Sequence, residues 1–215
     1  MKKLLLLIFS IILILSCSKN PTEPDKKYLN GNTSPENSYD PTSKGTWWKY
    51  NFNSDTSGTF MLFTVGDEIL IDDEYYAERN TQIDSWNKKQ YIRFNGNDIY
   101  LLQQIDDTVM KKESEFLLLK TNAQIGEIWT TVTNLPEGEI FKYDCKIINR
   151  DFSMTVRKKI FQNVIEIKMT VFNKQNGILE PVVENYYYYA KGIGLIRSES
   201  AAFGSYDLVD YEIKK

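Results

Sequence analysis

From about Gly45 to the C terminus the chain alternates apolar and polar side chains at a period of two, the mark of strands that bury one face. Phe141, Tyr143, Cys145 and Ile147 stand against Lys142, Asp144 and Lys146, and Ile165, Ile167, Met169 and Val171 against Glu166, Lys168 and Thr170. Near the end, Val209, Tyr211 and Ile213 are expected on the buried face, opposite Leu208, Asp210 and Glu212. Wound into a helix, any of these stretches would scatter its apolar residues round the circumference. Further strands are predicted over Trp47–Phe52, Thr59–Val65, Glu68–Ile71, Tyr75–Arg79, Tyr91–Phe94 and Ile99–Gln104. Others follow at Phe116–Leu119, Gly126–Thr131, Ser153–Lys158, Tyr186–Tyr189 and Leu195–Ser198. Asn95-Gly96-Asn97-Asp98 supplies the positive φ of a hairpin turn, Asn163 is read as the link back from Lys158, and Gln175-Asn176-Gly177 as another turn. Glu113–Gln124 is the one helical rival. A stretch of about 170 residues is ample for one core and small for two. The pattern therefore predicts a single all-β, mainly antiparallel domain over residues 45–215, an open barrel, sandwich or meander with at most a short helix.

The first seventeen residues follow a different pattern. Lys2 and Lys3 precede an apolar run from Leu4 to Leu15, broken only by Ser10, and Ile14-Leu15-Ser16 leads directly into Cys17. About a dozen apolar residues are too few to span a hydrocarbon core as a helix, which needs ~20, but they suit the core of an export signal. The competing readings are a buried N-terminal helix and a secretory leader cut at an ordinary site. The arrangement resembles the signal and lipobox of bacterial lipoproteins, although Leu15 is larger than the residue commonest at its place. The resemblance implies a signal peptide over residues 1–16, cleavage before Cys17, and diacylglycerol on its sulfur. Ser18, where that family uses aspartate for inner-membrane retention, implies the outer membrane. Two or three acyl chains hold a protein at a bilayer where one holds only marginally.

Residues 17–44 read as the lipidated cysteine followed by a disordered tether. Four of the six prolines lie there, among Asn, Ser, Thr, Asp and Lys, with Tyr28, Leu29 and Tyr39 as the large apolar side chains. So little apolar surface does not offset the entropy of ordering the segment. As a coil it would span roughly 30 Å, and ~80 Å if drawn out. A rival reading packs part of it along the domain, through Tyr28 and Leu29.

Composition narrows the chemistry. The net charge of -3 becomes -5 once the leader takes Lys2 and Lys3 away, so no basic face for nucleic acid is expected. Histidine is absent, which removes the usual general base, the usual zinc ligand and every Ser-His or Cys-His pair. With Cys17 acylated, Cys145 has no cysteine partner, and its place on an apolar strand face predicts a buried, inert thiol. Asp72-Asp73-Glu74 and Asp106-Asp107 are read as solvated acidic turns. Their rival readings are a calcium site, which lacks the ligand spacing and glycine of a calcium loop, and a glycosidase acid pair. Gly192-Ile193-Gly194 is half of a dinucleotide fingerprint without the third glycine, so a tight bend is the better reading. Tyr187 to Ile196 loosely resembles a late segment of secreted, β-rich bacterial lipoproteins, which supports the fold class alone.

Aromatic residues make up 13% of the chain, and Trp47-Trp48 and Tyr186–Tyr189 place rings on both faces of their strands. One set must face outward or into a cavity, where it would suit sugars, peptides or acyl chains. The sequence therefore predicts a non-enzymatic lipoprotein, anchored to the outer-membrane bilayer through Cys17, with a binding, carrier or envelope-assembly role. No catalytic residue, cofactor or metal site is expected, and an envelope protein or glycan is the expected partner. The alternatives are a carboxylate-based glycan hydrolase and a half-open barrel carrying lipid-like ligands.

Overall fold

The computed structural model describes residues 35–53, 60–83, 86–103, 115–134, 140–175, 178–202 and 204–215. Cys17, the leader, Asp106-Asp107 and the Asn176-Gly177 turn lie outside them. After a 3-10 turn at Pro35–Asn37 come β1 (Trp47–Phe52), β2 (Phe60–Ile71), β3 (Glu74–Ile83), β4 (Trp86–Asn95), β5 (Asp98–Gln103) and β6 (Glu115–Lys120). The second half has β7 (Ile128–Asn134), β8 (Ile140–Val156), β9 (Lys159–Gln175), β10 (Ile178–Ala190), β11 (Gly194–Ser200) and β12 (Gly204–Glu212).

All twelve strands form one antiparallel sheet in the order β6-β5-β4-β3-β2-β1-β12-β11-β10-β9-β8-β7. Each half of the chain is a meander, and pairing of the first strand with the last joins the halves into a nearly closed barrel. The unsealed seam lies between β6 and β7, which are consecutive in sequence. There, Trp129 Nε1 donates to the Leu117 carbonyl (2.9 Å) and the Leu117 amide donates to Thr131 Oγ1 (3.2 Å), so side chains take the backbone groups a ladder would use. The all-β open barrel expected from periodicity is thus observed, and Glu115–Lys120 is a strand.

The interior follows the alternation. Trp48 and Tyr50 from β1, Met61, Phe63 and Val65 from β2, and Cys145 and Ile147 from β8 are buried inside, as are Ile165, Ile167 and Met169 from β9. The outer faces of β8 and β9 carry Lys142, Asp144, Lys146, Glu166 and Lys168. A barrel that spans lipid shows the reverse, with an apolar band outward. On the outer face of β2–β5 a second small core gathers Ile71, Tyr76, Tyr91 and Leu102. It is fastened where Arg93 grips Glu115 through Nε (2.9 Å) and Nη2 (2.6 Å), and the Tyr76 hydroxyl donates to the same carboxylate (2.8 Å).

Several predicted boundaries move. β8 and β9 are each 17 residues long, because register shifts near Asn149, Phe152 and Met154 carry the strands past points where alternation fails. The β8–β9 turn falls at Arg157-Lys158, both at positive φ, while Asn163, expected as the link, lies within β9 at φ 51. On β12 a bulge opposite Lys49 and Tyr50 turns Leu208 inward at 2% exposure, whereas Val209 was expected there.

The folded region also starts upstream of Gly45. Ser38, Tyr39 and Asp40, expected in the tether, are buried. Arg79 Nη1 donates to both carboxylate oxygens of Asp40 (3.0 and 3.1 Å), Arg79 Nε donates to Gln90 (3.1 Å), and the guanidinium sits 5.1 Å from the Phe63 ring centroid. Ser38 fixes the approach: its Oγ accepts from the Asp40 amide and its carbonyl from Gly192. Gly192-Ile193-Gly194 is the expected tight bend between β10 and β11, and a Cβ on Gly192 would lie 2.9 Å from the Glu36 carbonyl oxygen. Residues 36–40 therefore plug this end of the barrel. Removing one partner of a buried ion pair strands the other, so Asp40→Ala is expected to destabilise the fold by about 3–5 kcal/mol. Chemical denaturation measures this, and a loss below about 1 kcal/mol would show that the segment is not packed.

Candidate functional site

Inside the opposite half of the barrel lies a partly enclosed cavity of about 350 Å³. Two groups of rings wall it. Phe116 from β6 stacks on Tyr143 from β8 (centroids 4.8 Å apart, planes at 11°), and Phe141 continues the stack at 6.5 Å. From the β1–β12 side, Tyr206 meets Phe52 edge-on at 5.8 Å and Tyr50 at 5.4 Å. Met169, Val171, Val183 and Tyr187 complete the apolar wall, while Ser198, Ser200 and Gly204 are small and leave the space open. Residues two apart on one strand share a face, so β8, β9 and β10 each contribute alternate residues.

The polar content of this chamber is uncharged. Asn185 lines it at 8% exposure, and its Oδ1 has no protein partner. Thr81 Oγ1, on an inward-facing position of β3, is also buried without one, whereas the Thr133 side chain on β7 reaches the Tyr143 hydroxyl. None of the described residues lining the cavity is Asp, Glu, Lys or Arg. Burial drives the Tyr187 and Tyr206 hydroxyls above their ordinary range, which keeps both neutral. The buried Asp40 and Arg79, in the other half of the interior, pair with each other, and Asp207, next to Tyr206 in the chain, pairs with Arg197 (2.6 Å).

The residues singled out by sequence fall in several places. Cys145 is fully buried, and burial, with Asp144 next to it, pushes its thiol up to about 12. Lys142 and Lys146 lie on the other face, as expected, with Lys142 held by Asp144 (2.6 Å). Asp72 and Asp73 make the β2–β3 turn at φ 47 and 64, and Glu74 lies 4.0 Å from Arg93. Trp48 points inward and Trp47 outward, where it donates to Glu212 (3.1 Å). Tyr187 and Tyr189 face the interior, whereas the Tyr188 hydroxyl lies outside, 3.4 Å from Glu166 and 3.5 Å from Glu199.

A shallow outer groove is flanked by Glu184 and Glu199. Each is engaged by a cation: Lys168 at 2.6 Å from Glu184, and Arg197 at 3.8 Å from Glu199. Among the described residues no group of three or more Asp, Glu, Cys or His side chains is gathered to hold a metal ion. Sequence reasoning missed Asn185, Phe116 and the role of the small β11–β12 residues. The one available signal was Asn185 and Ser198 standing at apolar positions of their strands.

No family model matches the chain, and no curated protein matches it. Among solved structures, a candidate exported protein with a YmcC-like fold from Bacteroides fragilis superposes with a TM-score of 0.50. The two are 12% identical over 80% of this chain and 98% of that one. The fold is shared. A candidate lipoprotein from Parabacteroides distasonis gives a TM-score of 0.46 at 16% identity, over 82% of this chain and 99% of that one.

The buried acids of the interior set an alkaline limit. In the folded state Cys145 and the Tyr50, Tyr187, Tyr189 and Tyr206 hydroxyls hold their protons above their ordinary values because ionised forms are desolvated there. The unfolded chain loses those protons first, so stability is retained below the unfolded values and falls as pH rises through them. The urea midpoint is expected to decline progressively above about pH 9. A midpoint constant from about pH 8 to 11 would contradict the burial of these groups.

Proposed function

We propose that this chain is an envelope lipoprotein, held at the outer membrane by acylated Cys17, whose barrel binds or carries a small amphipathic molecule without transforming it. The observation that carries the reading is the partly enclosed chamber with ring-bearing walls and uncharged polar atoms. Its volume falls within the range of ligand sites, which run from ~300 to ~1,000 Å³ and combine apolar walls with a few placed polar groups. Met1–Cys17 and the fold shared with a candidate exported protein support the envelope address. On the outer face Glu166 and Glu199 converge on the Tyr188 hydroxyl, and Glu184 and Glu199 flank a groove, an arrangement that bears on the glycan-hydrolase alternative. Glu184 and Glu199 are tied to cations, and Glu166 and Glu199 meet at one hydroxyl on the outer face and do not oppose each other across a cleft, so the binding reading is preferred.

Two measurements test the proposal. The full-length chain is expected to take up one equivalent of the neutral fluorescent dye 1-naphthylamine, whose size matches the chamber, with blue-shifted emission. Val183→Trp, which fills the chamber from a half-buried position, should weaken uptake at least tenfold while leaving the unfolding transition cooperative. Dye uptake unaffected by the substitution would place binding elsewhere, and no uptake would remove the carrier reading. Separately, Cys17→Ser is expected to shift the protein from the membrane to the soluble fraction with its β-type circular dichroism intact. Unchanged fractionation would contradict the anchor.

A further inference from the structure

We infer that the ligand of this chamber is an uncharged single-chain amphiphile of about a dozen non-hydrogen atoms whose hydroxyl or amide bonds to Asn185, an inference that rests on the binding reading above. Three observations carry it. The volume, about 350 Å³, accommodates roughly a dozen atoms at the ~30 Å³ that each occupies in a condensed liquid.

Charge selects next. No described lining residue is ionisable at neutral pH, and the buried Asp40 and Arg79 in the other half of the interior neutralise each other. A carboxylate, phosphate or ammonium entering here would lose its hydration and gain no counter-ion, a penalty of several kcal/mol. The site thus discriminates against charge by omission.

The third observation is the amide of Asn185. It is more than nine-tenths buried, faces the chamber from β10 between Val183 and Tyr187, and has an oxygen without a protein partner. A buried acceptor left unpaired is unfavourable by about 1–3 kcal/mol, and a ligand that donates to it recovers that loss. The amide already bonds to the Tyr187 hydroxyl, so the ligand needs a donor for the oxygen, which a hydroxyl supplies. The stacked Phe116, Tyr143 and Phe141 rings then supply a flat apolar surface for the tail.

A matched ligand series tests this on the full-length chain, by displacement of 1-naphthylamine. 1-Decanol, methyl nonyl ether, decanoate and decyltrimethylammonium differ in charge or in the ability to donate a hydrogen bond while keeping a similar tail. 1-Decanol is expected to displace the dye with at least tenfold higher affinity than decanoate or the ammonium at pH 8. It should also bind about tenfold tighter than methyl nonyl ether, which accepts but does not donate. Asn185→Leu should erase the alcohol-over-ether preference and leave the ether unchanged. If dye binds but all four ligands displace it equally, this inference fails while the binding reading stands. If the dye itself does not bind, the binding reading fails and takes this one with it. If Asn185→Leu does not fold, the alcohol-to-ether ratio on the native chain decides alone, and a ratio near one overturns the proposal.

Discussion

The pairing of β1 with β12 is the constraint on which the rest of the molecule depends. Each half of the chain is a meander with local hairpin contacts, and either half alone would leave two sheet edges and one apolar face uncovered. Joining the first strand to the last brings Trp47 opposite Glu212 and Tyr50 opposite Leu208 across nearly the whole length of the fold. Trp48 and Tyr50 extend this join into the interior, where their side chains donate to the Ile193 and Leu195 carbonyls. Local hairpins form without much loop-closure entropy, whereas this contact closes the longest loop in the domain. The β6 and β7 edges, consecutive in sequence, then border the one open seam, which Trp129 and Thr131 bridge by side chains without a ladder.

The closed sheet has two interior halves with different physics. At one end residues 36–40 enter, and the carboxylate of Asp40 is paired with Arg79, which Gln90 and Phe63 hold in place. The Asp40 charge is satisfied there, and beside residues 37–39 a polar pocket of about 340 Å³ remains, lined also by Arg150, Asp151 and Lys191. In the other half, large rings on β6, β8, β1 and β12 meet small residues on β11 and β12, and the mismatch in size leaves a chamber. Well-packed interiors seldom tolerate such a void together with unpaired polar atoms. A ligand that fills the space and pairs with Asn185 accounts for both features at once.

Much of the fold was legible because alternation survives wherever a strand is regular. Phe141 to Ile147 and Ile165 to Val171 face as their pattern required, and Asn95-Gly96-Asn97-Asp98 makes the hairpin it signalled. Bulges defeated the reading elsewhere, since one extra residue inverts every position beyond it. Leu208 and Val209 exchange roles for this reason, and β8 and β9 looked like several short strands. Asp40 was hidden differently: its neighbours are polar and rich in proline, and the cation that permits its burial lies 39 residues away in sequence. The chamber was half legible. An aromatic surplus pointed to a lined cavity, but which rings converge depends on closure of the barrel, which no local window of sequence contains.

Native mass spectrometry of the full-length protein, taken from its own membranes without organic extraction, tests the central claim most directly. The account requires a population carrying one additional small, uncharged organic mass per chain, released on unfolding and absent when the chamber is filled by Val183→Trp. Protein that is bare of any such mass in every preparation, with the filled variant indistinguishable from it, would contradict the account.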